Sequence, residues 1–287
     1  MTDRLPMMVA VAAATDAVPA RARESLRLAP STWPFEFWDT LDEAIRDDAA
    51  TTADALVSRG WDAVVLGDPQ YPERLAVLKS PPPVLFAWGD VDLLHRDAIG
   101  MCGSRKASEA GLRAARACAA IAAREGLVVV SGNAAGVDTE AHIGALEGGS
   151  ATILVIPEGA LHYRPRRSEA SNDVEGRVLV LSQFPPRQPW HVGSAMARNG
   201  VIAALGEALI VVEAGSEGGT LNAGKQALAM GRPVVALEFD SMPTPPGIAI
   251  LHAKGAVRLQ RPSDLPEVLA ALRAADPRPS QLGLALG

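Results

Sequence analysis

The sequence predicts an α/β protein built on a doubly wound, mainly parallel sheet, preceded by a small N-terminal segment. Three observations carry this. From residue 84 onward, short runs of Val, Ile and Leu alternate with alanine-rich stretches of helical spacing. The apolar runs are continuous, as expected of strands buried on both faces. Gly-containing turns follow several of them, and open α/β sheets bind ligands beyond the carboxyl ends of their strands.

Residues 1–80 are expected to form a mainly helical segment, in which Phe37, Leu41, Ile45, Ala49 and Leu56 fall loosely at helical intervals. The turn cluster Pro69-Gln70-Tyr71-Pro72 and the stiff run Ser80-Pro81-Pro82-Pro83 then mark a boundary. The main domain is expected over 81–275, with a flexible tail over 276–287. Within it, a strand over 98–105 leads to a helix over 107–125 with Leu112, Ala115, Cys118, Ala119 and Ala122 on one face. A strand and turn (127–138) precede a helix (139–149), and strands follow at 151–159 and 177–184. A helix (195–206), a strand and turn (208–220), a helix (221–231), a strand (232–239) and a helix near 263–274 complete the pattern. No fixed-period repeat interrupts it.

The chain has 287 residues, 48% hydrophobic and 21% charged, as in soluble globular proteins. This excludes a mainly disordered chain, a collagen and a disulfide scaffold. Cys102 and Cys118 have no CxxC partner, which excludes a zinc ribbon, and both lie in apolar stretches that read as core. A reducing, cytoplasmic compartment fits. No apolar run approaches the ~18 residues that cross a bilayer. The N-terminal MMVAVAAATDAVPA is interrupted by Asp16 and reads as the start of a folded segment rather than a signal peptide.

The net charge of −6 argues, by itself, against a protein that coats DNA nonspecifically. Its distribution changes that reading. Residues 1–79 hold 13 acids and 8 bases, whereas residues 80–260 hold 17 and 16. The central region is near neutral and compatible with a local basic groove.

Three turns carry the candidate chemistry. In Gly103-Ser104-Arg105-Lys106, Gly103 admits a close backbone approach, Ser104 can donate, and the N–H groups of the next helix face any anion placed there. Arg105 adds a bidentate phosphate donor. A plain strand-to-helix turn with a solvated arginine explains the same residues. In the turn from Ser131 to Asp138, Gly132 and Gly136 suit positions that a side chain would obstruct. Asp138 reads as a helix cap or a partner for a ribose hydroxyl. His142 reads as a hydrogen-bonded structural histidine ahead of a ligand contact, and without a third ligand no metal site is expected. In the turn from Glu213 to Thr220, Gly218, Gly219 and Thr220 make a phosphate cradle, while Glu213 and Glu217 oppose an anion unless they face away. None of the turns matches the GxGxxG or GxxxxGK(S/T) nucleotide fingerprints.

Arg105, Lys106, Arg164, Arg166, Arg167, Arg198 and Lys225 fall in loops or helix starts after strands, where a groove can follow a nucleic-acid backbone. Arg113 and Arg116 read as solvated surface. Tyr163 and Trp190 can stack on bases, although packing onto the domain is the default for Trp190.

Further short motifs fall in a specific order: Tyr71-Pro72-Glu73-Arg74-Leu75, Pro82-Pro83-Val84-Leu85-Phe86, Gly89-Asp90, Ala141-His142 and Arg198-Asn199. Val211-Val212-Glu213-Ala214, Gly219-Thr220-Leu221 and Gly231-Arg232 follow. With the three turns, this series resembles the DNA-processing family called DprA or Smf over about residues 60–258. The resemblance implies an extended Rossmann-like domain that binds single-stranded DNA, protects incoming DNA in transformation and helps to load a RecA-type recombinase. A homodimer is a further expected partner. No catalytic step or cofactor is implied. Carried over by motif, Arg105 is the leading phosphate contact, followed by Ser104, Arg198 and Asn199, and Lys225 stands where the family often has a basic residue. The expected DNA-binding set is Gly103, Ser104, Arg105, Lys106, Ser131, Gly132, Arg198, Asn199, Gly219, Thr220 and Lys225.

This chain departs from the family pattern. Ala195-Met196 replaces the family's Phe-Pro, and Gly200 replaces the second arginine of its Arg-Asn-Arg. Stacking is worth ~1–3 kcal/mol per base, so weaker affinity than the family's is expected. Residues 1–60 do not resemble the usual N-terminal helical module, and the chain stops 29 residues after Arg258, without the winged-helix module of many members. The alternative is a nucleotide-ligand sensor or a phosphoribohydrolase-like enzyme of the same superfamily. Those enzymes follow a Gly-Gly-x-Gly-Thr turn with a catalytic Glu, whereas here Asn222 follows and no acid is close behind. A partner-docking protein with a vestigial groove is the third reading.

Overall fold

Short runs of β-branched and apolar residues form the strands, and alanine-rich stretches form the helices packed on them. The computed structural model describes residues 4–14, 33–76, 78–165, 174–239 and 243–275. The strands are β1 (Trp61–Val65), β2 (Val84–Gly89), β3 (Ala98–Gly103), β4 (Val128–Ser131), β5 (Thr152–Val155), β6 (Val178–Ser182), β7 (Leu209–Val212), β8 (Val234–Leu237) and β9 (Val257–Leu259). The helices are α1 (Leu5–Ala14), α2 (Trp33–Asp39), α3 (Glu43–Val57), α4 (Glu73–Ala76), α5 (Glu109–Arg124), α6 (Val137–Glu147), α7 (Val192–Leu205), α8 (Gly219–Ala229), α9 (Pro246–Ala253) and α10 (Leu265–Ala275). No helix among the described residues is long and apolar enough to cross a membrane.

The strands make one nine-stranded sheet in the order β1-β2-β6-β5-β4-β3-β7-β8-β9. β3 to β9 pair in parallel, while β2 runs antiparallel to both β1 and β6. Alternate residues of each strand serve opposite cores. Ile99, Met101, Val129 and Ile210 pack under α5, α6 and α10, whereas Val128, Val130 and Val211 pack under α7, α8 and α9. Chain order runs outward from β3 to β6 on one side and from β7 to β9 on the other. The topological switch point therefore lies between β3 and β7, the place where such sheets open a crevice.

The expected boundary near residue 80 falls inside this sheet. Trp61 lies opposite Trp88 in the β1–β2 pair, and the buried Tyr71 hydroxyl donates to the Pro82 carbonyl at 2.7 Å. The two proline clusters are thus tied together rather than forming a linker. β1 escapes sequence reading because five residues between Gly60 and the Gly67 turn follow a longer helical stretch. On α5, Ala115, Cys118, Ala119 and Ala122 are buried as expected, but Gly111 and Ala114 are buried too and Leu112 is only half-buried. Ile45 stays exposed on α3, which buries Ala49, Thr52, Ala53 and Leu56. Both cysteines are buried and free. Burial pushes the Cys118 thiol up to about 12 and raises that of Cys102 as well. The expected tail at 276–287, and Arg166 and Arg167, lie outside the described residues.

Candidate nucleic-acid interface

The three glycine turns meet at the carboxyl edge of the sheet. The Ser104 amide donates to the Val212 carbonyl at 3.2 Å, which seats the first turn beside the third. The Thr220 hydroxyl donates to the Gly103 carbonyl at 2.9 Å and closes the same junction from α8. On the other side, the Val137 amide donates to the Ser104 carbonyl at 3.3 Å. Gly136, at φ 82°, sits so close that a Cβ would lie 2.6 Å from the Ser104 oxygen. Glycine is needed there for both conformation and space. The result is one continuous rim centred on Gly103 and Ser104, at the switch point.

The expected binding residues divide by burial. Arg105, Lys106, Gly219 and Lys225 are exposed, and Gly103, Ser104 and Thr220 are half-buried on the rim. Neither Arg105 nor Lys106 pairs with an acid among the described residues. The Ser104 hydroxyl oxygen accepts from the Lys106 amide at 3.1 Å and shapes the turn. Lys225 lies six residues along α8, ~9 Å from its start.

Ser131, Gly132, Arg198 and Asn199, also expected as contacts, are buried instead of standing exposed on the rim. The Ser131 hydroxyl donates to the Met101 carbonyl at 2.8 Å and is spent inside the sheet. Arg198 is 8% exposed. Its Nη1 donates to the Val155 carbonyl at 2.8 Å and its Nη2 lies 3.7 Å from Asp138 Oδ2. The guanidinium lies where a Cβ on Gly132 would fall, so that glycine makes room for it. Asn199 donates from Nδ2 to the Gly219 carbonyl at 3.3 Å and steadies the start of α8. These groups hold the rim rather than face solvent. Asp138 is also not the helix cap: Gly136 takes the N-cap position, and Asp138 accepts from the Ala134 amide at 3.2 Å while pairing with Arg198. His142 is structural, its ring nitrogens 2.6 Å from both the Thr152 hydroxyl and the Gly132 carbonyl.

Glu213 removes its own half of the electrostatic objection to the third turn, because its carboxylate is engaged elsewhere. It adopts φ 53°, the left-handed region that costs a non-glycine residue ~1–2 kcal/mol. The turn aims its carboxylate across the rim at the start of α5. There it accepts from the Ser108 amide at 2.9 Å and from the Ser108 hydroxyl. The Ser108 hydroxyl oxygen in turn accepts from the Gly111 amide at 3.0 Å. The α5 N-terminus, expected to receive an anion from outside, is therefore already served by the chain's own carboxylate. The N-terminus of α8 differs, having no side-chain cap and no acid in its first turn. Sequence reading missed the Glu213 latch, because nothing local marks a glutamate for a serine 105 positions away. Glu213→Ala is expected to lose ~1.5–3 kcal/mol of stability from these charge-assisted bonds, as read by urea denaturation.

The two candidate stacking residues exchange roles. Tyr163 is buried, edge-on to Trp61 at 5.9 Å between ring centroids, and is not available to a base. Trp190, expected to pack, is 55% exposed. Arg164 is exposed and donates to the Leu161 and Tyr163 carbonyls. Arg113 and Arg116 lie on the surface as expected, paired with Glu109 and with Glu140 and Glu147.

The family model described as DNA recombination-mediator protein A matches residues 62–270. The chain belongs to that family. The match starts within β1, in keeping with the sheet. Protein Smf of Synechocystis sp. is 33% identical over 192 residues, 64% of this chain and 46% of the relative. DNA processing protein DprA of Bacillus subtilis is 34% identical over 188 residues, 64% of this chain and 62% of the relative. The chain thus spans about half to three-fifths of the length of these relatives. The structure of DprA from Streptococcus pneumoniae aligns with a TM-score of 0.65 at 30% identity, covering 80% of this chain and 82% of that one. The Helicobacter pylori DprA, whose structure is described for its single-stranded DNA binding mode, has a TM-score of 0.63 at 23% identity over 74% of this chain and 96% of that one, a likeness of fold. The Rossmann-like architecture expected from the sequence is the architecture found.

Proposed function

We propose that the chain is a non-catalytic DNA-processing protein that binds single-stranded DNA along the rim. On this reading it acts in the cytoplasm, protects incoming DNA and assists a RecA-type recombinase in transformation or recombination. The observation that carries this is the junction of the three turns, with Arg105 and Lys106 exposed on it and the α8 N-terminus open beside them. Backbone amides and flexible cations at one edge suit a polyanion read through its phosphates rather than its bases. Family membership and relatives named as DNA processing proteins support the same reading.

The test is binding of oligo-dT across a salt series. With three cations, Arg105, Lys106 and Lys225, at ~0.7 per neutralised phosphate, the slope of log affinity against log salt is expected near −2. A flat slope, or stabilisation by mononucleotides with no oligonucleotide binding, overturns the proposal in favour of the nucleotide sensor. Glu217 is exposed on the third turn, so Glu217→Gln is expected to tighten binding about twofold at low salt, an effect that fades as salt rises.

A further inference from the structure

α9 supports the third turn of the rim from below. At its start, the Gly247 amide donates to the Ala214 carbonyl at 2.9 Å, and a Cβ on Gly247 would lie 2.2 Å from the Gly215 carbonyl oxygen. Further along, Leu251 presses on α8, its Cδ2 2.7 Å from the Cβ position of Gly224. Near its end stands His252, the one ionisable residue of the helix, with a side chain only 7% exposed. Both ring nitrogens face acceptors. Nδ1 lies 3.2 Å from the Ala256 carbonyl oxygen. Nε2 lies 3.5 Å from Oε2 of Glu238, the residue that follows β8. Neither Nε2 nor Oε2 has a hydrogen-bond partner among the described residues. A neutral imidazole has one N–H and one lone pair. With its proton on Nδ1, the Nε2 lone pair opposes the carboxylate. With its proton on Nε2, the Nδ1 lone pair opposes the Ala256 carbonyl. Only the imidazolium, a donor at both nitrogens, matches both neighbours.

We infer that His252 and Glu238 form a pH-operated lock that fixes α9 and, through it, the third turn of the rim. The folded chain favours the imidazolium, so the lock is closed at acid pH. It opens as rising pH takes the proton from the ring, across the range where histidine changes charge. The Thr244 hydroxyl donates to Glu238 Oε1. That bond foremost, with Arg258 and His252 beside it, holds the Glu238 carboxyl below the usual carboxylate range. The lock therefore persists on acidification until Glu238 takes a proton, at a lower pH than an ordinary carboxylate does. Arg258 of β9 also lies 3.1 Å from Glu238 Oε2, but its side chain is 66% exposed, so solvent screens its repulsion of the imidazolium. The other elements packed on α9 add little charge. β8 has no ionisable residue, and Lys225 of α8 and Lys254 after α9 are exposed. A cleft of about 360 Å³, lined by Glu238, Thr244, His252 and Arg258 among others, gives protons access from solvent. The consequence for DNA rests on the proposed function: a rim loosened at its third turn holds a strand less firmly.

The experiment is hydrogen–deuterium exchange of the full chain without DNA, at about pH 6 and about pH 8.5, either side of the histidine range. Labelling times are scaled to the intrinsic exchange rate at each pH. In wild type, protection over residues 246–253 and 213–220 is expected to fall ~10-fold or more at the higher pH, the scale of one charge-assisted hydrogen bond lost from a local opening. Protection over α5 is expected to stay the same at both. His252→Gln is uncharged at either pH and should abolish the difference. Glu238→Gln keeps the shape, removes the charge and should abolish most of it. The wild-type comparison stands by itself should a variant fail to fold. Equal protection at both pH values in wild type overturns the inference. So does a difference that survives His252→Gln, or one that α5 shares in full, which marks global rather than local opening. Exchange is read without DNA, so its failure is distinct from failure of the DNA-binding proposal.

Discussion

Arg105→Ala is expected to weaken oligo-dT binding about 10- to 100-fold at low salt. A guanidinium making charge-assisted hydrogen bonds to a phosphate is worth ~1.5–3 kcal/mol, and each 1.4 kcal/mol is about tenfold. The same substitution should flatten the salt slope by ~0.7, the contribution of one phosphate on a single strand. Stability should not change, since Arg105 is exposed and has no acidic partner among the described residues. Arg105→Lys should restore the slope but only part of the affinity, because an ammonium keeps the charge and loses the bidentate fork. Equal binding by wild type and Arg105→Ala removes Arg105 from the interface.

Arg198→Ala acts on the scaffold instead. It removes the buried partner of Asp138, whose side chain is 7% exposed, and the donor to the Val155 carbonyl. Removing one member of a buried pair costs about 3–5 kcal/mol, because the other charge stays buried without compensation. Urea denaturation is expected to show a loss of that size, with residual DNA binding by the fraction that remains folded. Asp138→Asn in the Arg198→Ala background should recover part of the loss, since the stranded charge is then gone. Gly132→Ala should resemble Arg198→Ala, because a Cβ at that position displaces the guanidinium. A stable Arg198→Ala protein with tenfold weaker DNA binding contradicts this assignment and returns Arg198 to the contact surface.

The sheet was legible because buried parallel strands read as continuous apolar runs, and alternation with helices leaves few topologies. The meeting of three distant turns followed from that alone, since every strand-to-helix turn of a parallel sheet lies on one edge. The N-terminal strand was not legible, because Trp61–Val65 is short and gains its place from pairing with β2. β9 has only three residues and α9 only eight. The split between exposed and buried cations was hidden by motif reading, yet a signal existed. Ser194, Arg198, Val201, Ile202 and Leu205 fall on one stripe of α7, and all are buried. A helical reading of that spacing turns Arg198 inward. Ser131 could have been placed similarly, as it ends the unbroken Val128–Val130 run. Nothing in the sequence marks Glu213 as the latch on Ser108, because its direction depends on one left-handed residue at the end of β7.

The central claim is that single-stranded DNA runs over the junction of the three turns. Photo-crosslinking of 5-iodouracil-substituted oligo-dT to the full chain, followed by peptide mapping, tests it most directly. The account predicts adducts in peptides carrying residues 103–106 and 215–225, and their loss in high salt. Adducts confined to the α3 or α10 surfaces, with none at these turns, contradict it.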